Sequence, residues 1–172
     1  TQRLSAYAVG GLTVASLMSF LMPDYKGRVQ VSADDPRLES GYVTYSSPKG
    51  GGTIKALLSK PVGARKPLGG VIVVHENRGL NPHIEDVARR AALAGFVSLA
   101  PDGGYPGTDD AGRELQSKRN REDMLQDFMA AFDYLQSSRA VNGKVGVAGF
   151  CFGGWVANMM AVRIPDLAAA VP

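Results

Sequence analysis

The 172 residues carry 45% hydrophobic and 20% charged side chains with a net charge of +3, the balance of one globular domain with a buried core. The lysines and arginines are scattered and not interleaved with aromatics, which argues against nucleic-acid binding. One cysteine excludes an internal disulfide, and the two histidines, His75 and His83, stand without paired-ligand spacing, so neither a metal nor a cofactor is expected.

In chain order, residues 1–24 form a first unit. The run from Leu4 to Pro23 holds no charged residue, close to the length of a membrane span, but glycines, serines and a threonine interrupt it. Three readings stand: a helix packed on the domain or a partner, the remnant of an export signal, or a membrane anchor. With no clear signal, the protein is read as cytoplasmic, with export as the alternative.

Residues 25–172 read as an α/β domain. YVTYSS (42–47) and GTIKALLSKP (52–61) are strands joined by the turn PKGGG. The β-branched run from Val71 to Val74 is a strand buried on both faces, hence central and parallel. Asn81-Pro82 breaks the chain, and a helix follows through HIEDVARRAALA, stopped by Gly95. FVSLAPD is the next buried strand, and GGYPGTDDAG a loop. Residues 122–138 form a helix with Leu125, Phe128, Phe132 and Leu135 on one face. KVGVAGF is a strand, GGWVANMMAVR a helix, and LAAAVP opens another strand. Alternating strands and helices predict a mainly parallel sheet covered on both faces. In such sheets ligands bind at the carboxyl ends of the strands, where HENRGLN, PDGGYPG and GFCFGG all fall.

Gly149-Phe150-Cys151-Phe152-Gly153 places the single cysteine in a Gly-x-nucleophile-x-Gly pattern between strand and helix. Side chains at the flanking glycines would clash with the neighbouring strand and helix. The helix N-terminus favours a thiolate at Cys151, and the Phe152 N–H is placed to stabilise an oxyanion. The bland alternative is a small cysteine filling space between glycines. Glu76, just past the central strand, is a partner for the thiol, and the Asn77 N–H a second oxyanion donor. Arg78 either binds an acidic substrate or neutralises Glu76. His75 reads as structural, because it follows the strand with its side chain on the other face, and His83 as a polar helix opener. Tyr105 either lines the pocket or packs on Pro106. Trp155, Met159 and Met160 read as core, and KRNRED (118–123) as a solvated start to a helix.

GKVGVAGFCFGG, VIVVHENRGLNPHIEDVARRAALAGFVSLAPD and GGYPG together resemble the dienelactone hydrolase family of the α/β-hydrolase superfamily, from about Val43 to the last residue. The resemblance implies a Cys-His-Asp hydrolase of small esters or lactones. Cys151 would form an acyl-enzyme, Glu76 would assist its activation, and Asn77 and Phe152 would form the oxyanion hole. The best-known members act on a small cyclic ester bearing a carboxylate, but Arg78 does not match the family's carboxylate-binding arginine. The family's triad Asp and His lie after later strands, which implies two further strand–helix units, roughly 70–110 residues. The expectation is therefore a partial α/β-hydrolase domain, partnered by the C-terminal remainder of the same protein. A non-catalytic binding or assembly module and a thiol redox sensor are the competing readings.

Overall fold

The computed structural model describes residue 27 and residues 29–103 and 109–172. The N-terminal unit at residues 1–24 and Tyr105 lie outside the described residues. Among the described residues the elements are β1 (Leu38–Ser47), β2 (Gly52–Pro61), β3 (Leu68–Val74), α1 (Pro82–Leu93), β4 (Val97–Pro101), α2 (Asp109–Ser117), α3 (Arg121–Gln136), β5 (Val141–Gly149), α4 (Phe152–Arg163) and β6 (Ala169–Val171). The six strands make one sheet in the order β1-β2-β4-β3-β5-β6. β1, β2 and β4 pair antiparallel, whereas β4, β3, β5 and β6 run parallel. This is the expected α/β architecture, with β3 central and flanked by two parallel neighbours.

Strand alternation divides the core. Ile54, Ile72, Val74, Leu99, Val145 and Val147 pack with Leu125, Phe128, Phe132 and Leu135 of α3 and with Val156 and Met160 of α4. On the opposite face Leu57, Val73 and Ala100 meet Ile84 and Ala88 of α1. Each side chain of this size contributes about 1.5–3 kcal/mol when fully withdrawn from water, so α3, with Phe128, Leu125 and Leu135 all wholly buried, anchors the first face.

α1 starts where the sequence breaks. The Asn81 side chain accepts from the His83 and Ile84 N–H groups at 3.0 and 3.1 Å, and Pro82 takes the first turn. Gly95, at φ 97°, ends it. The buried Asp86 of α1 accepts from the Gln30 and Val31 N–H groups at 2.9 and 2.7 Å, and Arg89 Nε donates to the Val31 carbonyl at 2.8 Å. Two polar side chains thus hold residues 30–31 against the domain.

The loop expected over 103–112 differs from the structure: helix α2 begins at Asp109. Its sequence, DDAGRELQS, is short and mostly polar and contains Gly112, so it reads as a loop although its helical amphipathic pattern is strong. No helix among the described residues is long and apolar enough to cross a membrane.

Candidate active site

Cys151 is the only non-glycine described residue with a positive φ, at 55° with ψ −109°. Backbone strain of this kind costs about 1–3 kcal/mol and persists only where packing enforces it. The flanking glycines show what enforces it. A Cβ on Gly149 would lie 1.9 Å from the Gly153 carbonyl oxygen, and one on Gly153 would lie 2.5 Å from the Val74 carbonyl oxygen. Strand β5, the turn and α4 therefore approach backbone to backbone, and β3 lies against the start of α4. The Phe150 N–H donates to the Val74 carbonyl at 3.3 Å, and the Gly153 N–H to the Phe150 carbonyl at 2.8 Å. The outcome is an exposed thiol at the apex of a sharp turn.

That thiol opens onto a cavity of about 610 Å³. Asn77 comes from the loop after β3, and Arg113, Gln116 and Ser117 from α2. Arg119, Arg121 and Met124 come from the start of α3, and Cys151, Phe152 and Trp155 from the turn and α4. Among the described residues, three arginines and no carboxylate line it. The N–H groups of Asn77 and Phe152 donate to no acceptor among the described residues. The buried Gln116 Oε1 also lacks a partner.

The residues expected at the site divide. Asn77, Cys151 and Phe152 meet at the cavity. Glu76 and Arg78 are half-buried beside it without lining it, and no hydrogen bond joins the Glu76 carboxylate to Cys151. His83 sits in the first turn of α1, away from the cavity lining. Trp155 and Arg119 differ from their reading, whereas the rest of the 118–123 run is exposed and opens α3 as expected. Trp155 is half-buried and faces the cavity, with only Met160 of that trio fully buried. Arg119 pairs with the buried Asp127 at 3.0 Å and donates to the Gly103 carbonyl. Arg121 stands over the Trp155 ring, 5.4 Å from its centroid. Among the described residues no cluster of His, Cys, Asp or Glu is placed to hold a metal ion.

His75 is wholly buried. Its Nδ1 bonds the Glu76 carbonyl oxygen at 2.6 Å, and its ring stacks on Phe152 with centroids 6.2 Å apart. Burial holds its pKa down at about 4, against a weaker opposing pull from the Glu76 and Asp102 backbones. His75 is therefore neutral at pH 7 and locked in the core. Linkage fixes the sign: the unfolded state takes up the proton near pH 6.5, the folded state only near 4, so stability falls as pH drops through that window. Urea titrations at pH 7 and pH 4 should show a loss of roughly 3 kcal/mol from this residue. His75→Gln should lose less stability over the same interval than the wild type. Equal losses would place the titration elsewhere.

A mixed, mostly parallel sheet of this order with a strained turn between β5 and α4 defines the α/β-hydrolase class. Residues 54–172 match the dienelactone hydrolase family, and the chain belongs to that family. It is 50% identical over 112 residues to YghX of Escherichia coli K12, named as a hydrolase fragment, covering 62% of this chain and 96% of that one. It is 35% identical over 127 residues to the carboxymethylenebutenolidase of Pseudomonas sp. strain P51, covering 67% of this chain and 52% of that enzyme. Among solved structures, the dienelactone hydrolase-like promiscuous phosphotriesterase P91 from metagenomic libraries aligns with a TM-score of 0.65 at 28% identity. The alignment covers 76% of this chain and 56% of that one. Beyond YghX, the chain thus spans about half the length of these relatives.

Proposed function

We propose that Cys151 is the nucleophile of a hydrolase acting on small esters or lactones. One observation carries the reading: the only strained non-glycine backbone among the described residues holds an exposed thiol at the mouth of a cavity, and strain of this kind clusters at functional sites. Cys151 Sγ attacks the ester carbonyl. The Phe152 and Asn77 N–H groups receive the developing oxyanion. The tetrahedral intermediate collapses, the alkoxide leaves with a proton, and a thioester remains on Cys151. The half-buried Glu76 assists the thiol once substrate has rearranged its loop, since no bond joins the two beforehand.

Hydrolysis of the thioester needs a base to activate water. His75 cannot serve, being neutral, buried and bonded to backbone. We assign that step to an Asp–His pair in the remainder of a longer protein, the share its relatives possess beyond this match. The chain on its own then acylates once and stalls. With 4-nitrophenyl acetate it should release close to one nitrophenolate per chain in a burst, followed by slow turnover. Cys151→Ala should cut the burst rate on the order of a thousand-fold or more while leaving the far-ultraviolet spectrum unchanged. A burst that survives Cys151→Ala would overturn the assignment. Absence of any burst in the wild type would favour a non-catalytic module.

A further inference from the structure

A second cavity, of about 350 Å³, lies at the far end of the sheet from Cys151, where β2 ends and β3, β4 and β5 begin. The nine residues of β5 separate the two cavities, roughly 30 Å at the rise of an extended strand. Four cations from three segments line the second cavity: Lys60 of β2, Arg65 and Lys66 of the loop before β3, and Arg139 of the loop before β5. The carboxylate in this lining, Glu39, is taken by Lys60 at 2.7 Å. Arg65, Lys66 and Arg139 are exposed and have no ion-pair partner among the described residues. Holding like charges together opposes folding, and no contact among the described residues offsets it here. Two exposed large hydrophobics border the same hollow. Val62, 54% exposed, sits between the lining residues Pro61 and Gly63. Phe96, 44% exposed, precedes the lining Val97, and its ring lies beside Gly69 at the start of β3. The chain that Asp86 and Arg89 hold at residues 30–31 packs Val31 against Leu38, next to Glu39 of the lining. The uncharged run from Leu4 to Pro23 ends eight residues before Val31 in the sequence.

We propose that this end of the domain docks on an anionic membrane surface, with lipid phosphates seated among Lys60, Arg65, Lys66 and Arg139 and with Phe96 and Val62 in the interfacial layer. Four clustered cations beside exposed apolar side chains match a bilayer surface, which offers phosphate and an apolar layer together; a soluble polyanion offers the charge alone. The Cys151 cavity, at the other end of β5, then faces away from the membrane. The inference does not depend on the chemistry assigned to Cys151.

Sedimentation of the full chain with vesicles tests it. One set is phosphatidylcholine alone; the other is phosphatidylcholine and phosphatidylglycerol at roughly two to one, which carries the negative surface the cations require. The chain should partition onto the mixed vesicles and lose that preference as salt is raised. Lys66→Gln/Arg139→Gln should weaken partitioning about twenty-five-fold, on the scale of about five-fold for each cation at an anionic leaflet. Lys49→Gln/Lys118→Gln removes two exposed cations elsewhere on the surface and should weaken it by less than about three-fold. Equal losses in the two pairs would reduce the effect to net charge and overturn the proposal, as would equal binding to the two vesicle types or binding to neither. Sodium phosphate should release no more of the chain than sodium chloride at equal ionic strength; greater release would assign the cavity to a soluble phosphate and overturn the docking face. Orientation has its own readout, because the chain has one tryptophan, Trp155, and it lines the opposite cavity. Doxyl-labelled lipid should leave its emission unchanged and quench the emission added by Phe96→Trp. Quenching of Trp155 with none of the added emission would mean that the other end meets the bilayer, against the proposal.

Discussion

Gly149→Ala should cost more than about 4 kcal/mol of stability, a size reserved for substitutions that break core or backbone packing. The added methyl group would lie 1.9 Å from the Gly153 carbonyl oxygen and 2.2 Å from its carbon. Those are backbone atoms in the first turn of α4, which cannot rotate aside like a flexible side chain. Relief requires α4 to lift from β5, and α4 carries Val156, Ala157 and Met160 into the main core. Gly153→Ala meets the Val74 and His75 carbonyl oxygens at 2.5 and 2.8 Å and should fail in the same way. Gly41→Ala is the control, because its methyl meets nothing within 4 Å; it should change stability by less than about 1 kcal/mol. Urea midpoints of the three variants check the pattern. A Gly149→Ala protein as stable as the wild type would mean that the turn is not packed as described.

Arg119→Met should destabilise the fold by about 3–5 kcal/mol, the range seen when one member of a buried ion pair is removed. Asp127 is wholly buried, with one oxygen 2.6 Å from the Gly51 N–H and the other 3.0 Å from Arg119. Methionine keeps much of the volume but leaves the carboxylate without its cation. Asp127→Asn in the Arg119→Met background removes the stranded charge and should restore part of the loss. A double-mutant cycle should give a coupling of roughly 1–3 kcal/mol. A coupling near zero would show that solvent screens the pair. The same substitution frees the Gly103 carbonyl from Arg119, so it should also loosen the segment after β4.

These two sites differ in how far the sequence discloses them. The glycines around Cys151 were legible from the strand, turn and helix within five residues, although only Gly149 clashes within that turn and Gly153 is required by the Val74 and His75 carbonyls of a distant strand end. The β-branched run at Val71–Val74 was legible for the same kind of reason, since only a strand flanked on both sides tolerates it. The role of Arg119 was not, because its partner Asp127 and the turn at Gly50–Gly51 that seats against the pair come from distant parts of the chain. A charge run has no period to betray which member turns inward. Trp155 fell at helical spacing with Met159 and Met160 and so resembled core, but the N-terminal end of α4 rides at the sheet's edge and turns that ring to the cavity. α2 escaped because it is short and polar and its Asp, Gly and Ala residues read as a turn, although its helical pattern is strong. Asn77 and Phe152 line the cavity, whereas Glu76 and Arg78 stand just outside its lining.

The walls of the cavity are unequal in a way that bears on time rather than affinity. The Cys151 side is fixed by the parallel ladder of β3 and β5, running in register from Gly70–Val145 to Val74–Gly149, and by the glycine contacts that bind α4 to it. The α2 side rests on a short helix whose only buried described side chain beyond Gly112 is Gln116. Segments with little buried apolar surface open at a fraction of the free energy of global unfolding. The wall that carries the thiol therefore gives up its amide hydrogens to solvent only through near-global opening, while α2 gives up its own through local opening.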